Sequence, residues 1–79
     1  MIKPQPHAFR EIFRYRKAER TRVYQLRPLN ENEAELWVVA EGGQKRRSRL
    51  LATFTNPDDA EPFLESVELE LRAGGWGEC

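Results

Sequence analysis

The stretch "ATFTNPDDAEPFLESVELELRAGGW", residues 52–76, holds the change of period on which the fold turns. Ala52 and Phe54 close an alternating run. Asn56 then offers a cap, Pro57 suits a first helical position, and Asp58 and Asp59 favour the positive end of a helix dipole. Ala60, Phe63, Leu64, Val67 and Leu71 recur at helical spacing and form one apolar stripe. Gly74 and Gly75 stop it. Two features oppose an unbroken helix. Pro62 predicts a start or a kink, and "VELEL" at 67–71 also alternates with period two, as a strand would. Cap, stripe and glycine stop together favour the helix, which turns Leu69 away from the stripe.

Upstream, the period is two. Residues 8–17 place Phe9, Phe13 and Tyr15 on one parity and Arg10, Arg14 and Arg16 on the other, with Ile12 on the arginine side. Residues 20–29 set Tyr24 and Leu26 against Val23, Gln25 and Arg27, and end at Pro28. Residues 34–41 are the most strand-like run, around Trp37, Val38 and Val39. Gly42-Gly43 signals a hairpin, because glycine accepts the positive φ angles of tight turns. A fourth strand, 46–55, follows, with Ser48, Leu50, Ala52 and Phe54 on one side and Arg47, Arg49, Leu51 and Thr53 on the other.

The expected fold is α+β, a four-stranded antiparallel meander followed by one C-terminal helix on one face (β-β-β-β-α). An extended arm would occupy 1–7, a single domain 8–76, and a frayed end 77–79. The expected core joins Phe9, Phe13, Tyr24, Leu26, Val38, Leu50, Ala52 and Phe54 to Phe63, Leu64, Val67 and Leu71, with Trp76 closing one end. The outer sheet face would carry Arg10, Ile12, Arg14, Arg16, Val23, Arg27, Trp37, Arg47 and Arg49. The outer helix surface would carry Asp58, Glu61, Glu65 and Glu68. The molecule would be bipolar, a basic sheet opposite an acidic helix.

The composition fits this picture. The chain has 79 residues, 39% apolar and 33% charged, so a thin core in a charged shell is expected, with dimerisation as a way to hide more surface. Thirteen cations balance thirteen acids, but in blocks: +6 over 1–29, −4 over 30–44, +4 over 45–50 and −6 over 51–79. No apolar run is long enough for a membrane helix, and the first residues lack the pattern of a secretory signal. The single cysteine, Cys79, excludes an internal disulfide, and a cytoplasmic location is expected.

Catalytic constellations are nearly absent. His7 is the only histidine, serines stand only at 48 and 66, and no His/Cys cluster suits a metal. A non-enzymatic protein without cofactor, metal or small-molecule substrate is expected. Arginines beside an aromatic on a sheet face can neutralise phosphates and stack bases. Arg10, Arg14, Arg16, Lys45, Arg46, Arg47 and Arg49, with Trp37 as the stacking surface, are therefore the candidate residues for binding DNA or RNA. Two alternatives stand beside this. The arginines can be the solvated face of a meander, or the basic sheet can meet the acidic helix of a second chain in a homodimer, with Ile12, Val23 and Val39 in apolar contact.

The layout resembles the WGR domain, a small nucleic-acid-binding module of poly(ADP-ribose) polymerases and bacterial proteins. The resemblance runs from Phe13 to Trp76. It rests on an aromatic first strand, "VYQL" at 23–26, Trp37 in the third strand, the hairpin at Gly42-Gly43, Phe54, Ala60 and Phe63, and the closing "GGW" at 74–76. It implies nucleic-acid binding. Where the family has its Trp-Gly-Arg signature this chain has Ala40-Glu41-Gly42, so the roles of that Trp and Arg do not carry over. The alternative function is a protein-interaction or self-association module.

Overall fold

The computed structural model describes residues 9–79. The expected arm, His7 included, lies outside them. The elements run β1 (Arg10–Lys17), β2 (Arg20–Pro28), β3 (Ala34–Gly42), β4 (Lys45–Phe54), a 3-10 turn (Pro57–Asp59), α1 (Ala60–Ala73) and β5 (Gly77–Glu78). The strands form one antiparallel sheet in the order β4-β3-β2-β1-β5. The α+β meander with its C-terminal helix is present, and a short fifth strand is added. Gly77–Glu78 pairs with β1, and the Cys79 amide donates to the Arg14 carbonyl at 2.9 Å, so the chain end is held where fraying was expected.

Two-residue turns join β1 to β2 and β3 to β4. Gly43 takes φ 59° in the second, as its sequence predicts, whereas Ala18 takes φ 54° in the first with a side chain that disfavours it. Between β2 and β3, the Asn30 side-chain oxygen accepts the amides of Asn32 and Glu33, so a polar side chain bends the backbone.

Residues 67–71 are helical, and Pro62 neither starts nor breaks α1. It is the third helical residue, where the amide has no intrahelical acceptor, so its missing N–H removes nothing. Asn56 caps the preceding 3-10 turn by accepting the Asp58 amide at 3.0 Å. At the other end Trp76 donates its amide to the Leu71 carbonyl and Gly75 to that of Arg72, with Gly75 at φ 86°. These are the two crossed bonds of a Schellman stop, and Trp76 faces Leu71 across it. The Lys17 ammonium donates to the Gly74 carbonyl, placing a cation at the negative end of the helix dipole and tying the first hairpin to α1.

The core lies between the sheet and α1. Tyr15, Tyr24, Leu36, Val38, Phe54 and Leu71 are buried in it. Phe13, Leu26, Leu51, Ala52, Ala60, Leu64, Val67 and Trp76 pack around them. Three expected members are missing. Phe9 is 49% exposed, Leu50 42% and Phe63 38%. Phe63 lies at the rim of the helix contact, edge-on to Phe54 at 5.5 Å. For Phe9 and Leu50 the cause is a single extra residue in each edge-side strand. In β1, Glu11 pairs with Gln25 but Phe13 with Tyr24, leaving Ile12 as a bulge. In β4, Ala52 pairs with Leu36 but Leu50 with Trp37, leaving Leu51 as a bulge. One inserted residue reverses which parity faces the core. Phe9 and Leu50 are thereby turned to the outer face, and Arg10, Arg47 and Arg49, expected on that face, to the helix side.

Candidate functional site

On the helix side, α1 covers only part of the sheet. Beyond it the turn-proximal ends of β2, β3 and β4 stand bare. Three cross-strand rows run there: Tyr24–Val38–Arg49, Arg22–Ala40–Arg47 and Arg20–Gly42–Lys45. The outer strands carry long cations and the middle strand carries small residues. Adjacent strands lie about 4.8 Å apart, so the two cation rows stand about 10 Å apart across a floor made by Ala40 and Gly42. The result is a trough. Depressions of about 420 and 390 Å³ lie along it and share Arg22, Ala40 and Arg47. Trp76, set by the helix stop, forms one wall, and the Arg22 guanidinium lies 4.5 Å from its ring centroid.

The charge state of this trough differs from that of the outer face. Among the described residues, no carboxylate lies within ion-pair distance of Arg20, Arg22, Lys45, Arg47 or Arg49. Glu70 of α1 borders the trough near Arg22 and Arg49 without pairing to either. On the outer face three of the four arginines are partnered, and Arg16 bonds only the Ala18 carbonyl. Arg14 bonds Glu11 at 2.9 Å, which holds its guanidinium pKa above the ordinary value. Arg27 meets Glu35 and Arg46 meets Glu41, each at 3.6 Å.

The expected binding set therefore divides. Lys45, Arg47 and Arg49 lie in the trough. Arg14, Arg16 and Arg46 have the outer-face parity of Val23, Thr21 and Glu41. Arg10 pairs with Leu26, four residues of β2 away from Arg22, roughly 13 Å along the strand. Trp37 also lies on the outer face, opposite Gln25 and Leu50. Its indole donates to Glu35 at 3.3 Å, and Phe9 packs edge-on to it at 5.9 Å. It is not beside the trough cations, and the basic and acidic surfaces are not on opposite sides of the molecule. The five trough cations and the acids of α1 share the helix side.

Arg20, Arg22 and Trp76 complete the trough and are absent from the expected set. Arg20 and Arg22 have the parity of Tyr24 and Leu26, and that parity, carried two turns of the pleat upstream, would have found them. The Ala40-Glu41-Gly42 triplet also has a clear placement. Ala40 and Gly42 floor the trough, while Glu41 points to the other face and pairs with Arg46.

Tyr15 is wholly buried beneath the helix end. Among the described residues its hydroxyl has no hydrogen-bond partner in good geometry, though Arg72 and Glu68 are close enough to act on it electrostatically. Burial pushes the phenol above its ordinary pKa, and Arg72 pulls part of the way back. Among the described residues no cluster of His, Cys, Asp or Glu could hold a metal, and no helix is long and apolar enough to cross a membrane. No protein-family model, curated protein or solved structure matches this chain.

Proposed function

We propose that this protein is a non-enzymatic nucleic-acid-binding domain that holds a single strand in the trough between β2 and β4. The observation that carries the reading is the concave set of five cations, Arg20, Arg22, Lys45, Arg47 and Arg49, with no carboxylate partner among the described residues, whereas the outer-face arginines other than Arg16 are paired. An uncompensated concave cluster attracts anions, and two cation rows about 10 Å apart flank one sugar-phosphate backbone rather than a duplex. Trp76, already stacked by Arg22, supplies the aromatic wall on which a base can continue the stack. The resemblance to the WGR module points to the same ligand class. A lone exposed thiol, Cys79, suits work in a reducing compartment such as the cytoplasm.

The test is a fluorescence-anisotropy titration of labelled single- and double-stranded DNA and RNA over a range of salt. Single strands should bind more tightly than duplexes. Five phosphate contacts give a slope of log affinity against log salt of about −3.5. Arg47→Ala/Arg49→Ala should weaken binding about tenfold or more and lessen that slope by about 1 to 2. Arg14→Ala/Arg46→Ala, on the other face, should leave both unchanged. Absence of binding at low salt, or equal losses in the two double variants, would sink the proposal.

A further inference from the structure

The outer face of the sheet shows a second surface with different chemistry. Its centre is apolar. Trp37 and Leu50 are cross-strand partners, and Phe9, 49% exposed, lies edge-on to Trp37. Val23 and Val39, paired across β2 and β3, make the floor beside them and are already buried. Phe9 and Leu50 reach this face only because the bulges at Ile12 and Leu51 turn them away from the core. Both side chains would have been buried by a regular register, so the two irregularities build the patch.

The patch is also held in shape. Glu35 accepts from the Trp37 indole and pairs with Arg27, whose guanidinium lies 5.5 Å from the Phe9 ring centroid. Such a fixed apolar surface loses little side-chain freedom when it is covered.

We propose that this face is the interface of a homodimer, in which two copies pack outer sheet against outer sheet. Charge selects the occupant. Among the described residues, Arg14, Arg27 and Arg46 are balanced on the face by Glu11, Glu35 and Glu41, leaving Arg16 in excess. A partner of one strong sign gains nothing there, whereas a second copy brings the same near-neutral mixture and the same apolar centre, as an isologous contact requires. Area agrees. Four strands of about nine residues, spaced about 4.8 Å apart, present roughly 500–600 Å² per copy, and the pair reaches the lower range of specific interfaces. The arrangement leaves both troughs open on opposite outer sides of the dimer, so it stands or falls independently of the nucleic-acid reading.

Sedimentation velocity over a concentration series, at low and high salt, tests this. The wild-type chain should sediment as a dimer at both salt concentrations, because the contact is mainly apolar. Leu50→Glu should raise the dimer dissociation constant about tenfold or more by placing a charge in that contact. Phe9→Glu, against Trp37 in the same patch, should do the same. Circular dichroism of both variants should match the wild type, since both side chains are exposed in one copy. Arg47→Ala/Arg49→Ala should still dimerise. A wild-type chain that stays monomeric throughout the series overturns the proposal. So does a dimer that survives both glutamates in folded protein. Association lost in high salt or in the Arg47/Arg49 variant also overturns it, because that result would place the contact between the trough and an acidic helix.

Discussion

Leu36 and Trp37 are consecutive in β3, and the sheet sends them to opposite fates. Leu36 has no exposed surface and sits under α1. Trp37 faces away from the helix, half-buried among Phe9, Leu50 and Glu35. The same strand thus contributes to a covered face that gives the domain its stability and to a bare face that retains apolar surface. The teaching point is that one helix of 14 residues cannot cover both faces of a five-stranded sheet. What it leaves bare is not uniform. Past its end on its own side lies an unpaired basic trough, and behind the sheet lies a charge-balanced apolar patch.

The sharpest way to break this division is to compare equal truncations on the two sides. Leu36→Ala removes a fully buried side chain, and about 2–5 kcal/mol of stability should be lost. Leu50→Ala removes an exposed one, so the loss should be below about 1 kcal/mol when the chain is studied dilute and monomeric. Urea titrations followed by circular dichroism give both numbers. Similar losses for the two would mean that the faces are not divided as described.

A smaller effect sharpens the covered side through pH. Tyr15 is buried with an unbonded hydroxyl, so its phenolate is disfavoured in the folded state and its pKa rises above the ordinary value. Its contribution is complete at pH values below the unfolded pKa of about 10 and is lost as pH climbs from there through the raised folded value. Tyr15→Phe should remove that alkaline loss while changing stability at neutral pH by no more than about 1 kcal/mol. Thermal melts of both proteins between neutral and strongly alkaline pH would show whether the two curves diverge.

The smallest pair of effects compares the two tight turns at the trough end of the sheet. Ala18 holds φ 54° against its side chain, and Gly43 holds φ 59° without that penalty. Ala18→Gly should stabilise by about 0.5–1 kcal/mol and Gly43→Ala should destabilise by about 1 kcal/mol. A β-carbon at Gly43 meets nothing within 4 Å, so backbone strain alone sets the second value. Opposite signs in denaturant midpoints support the assignment, and equal signs refute it.

The periodicity was enough to read the element order, the helix and its glycine stop, because these rest on local spacing and on residues with special backbone preferences. The faces were legible only where the alternation ran unbroken. In β2, Tyr24 and Leu26 point inward as their parity requires. In β1 and β4 one bulge apiece moved Phe9, Arg10, Leu50, Arg47 and Arg49 to the face opposite the expected one. No composition signal marks Ile12 or Leu51 as the extra residue, since both are ordinary strand formers and their displacement is set by pairing with the neighbouring strand. Leu36 was hidden for another reason. It stands beside Trp37, Val38 and Val39, where a continuous apolar run masks the period. Lys45, Arg47 and Arg49 were legible as cations and not as neighbours of Arg20 and Arg22, because that proximity comes from register across three strands.

The held chain end has a consequence for how the molecule assembles. Every strand pairing but one joins segments that follow each other along the chain through a short connection. The exception is β5, which returns to β1 after the meander and the helix have intervened, with Tyr15 opposite Glu78 and Arg16 opposite Gly77. Local contacts close at small entropic cost, whereas a pairing between distant segments waits for the chain between them to be ordered. The hairpins can therefore form first, the helix docks on them, and the last three residues then fasten onto the first strand like a clasp.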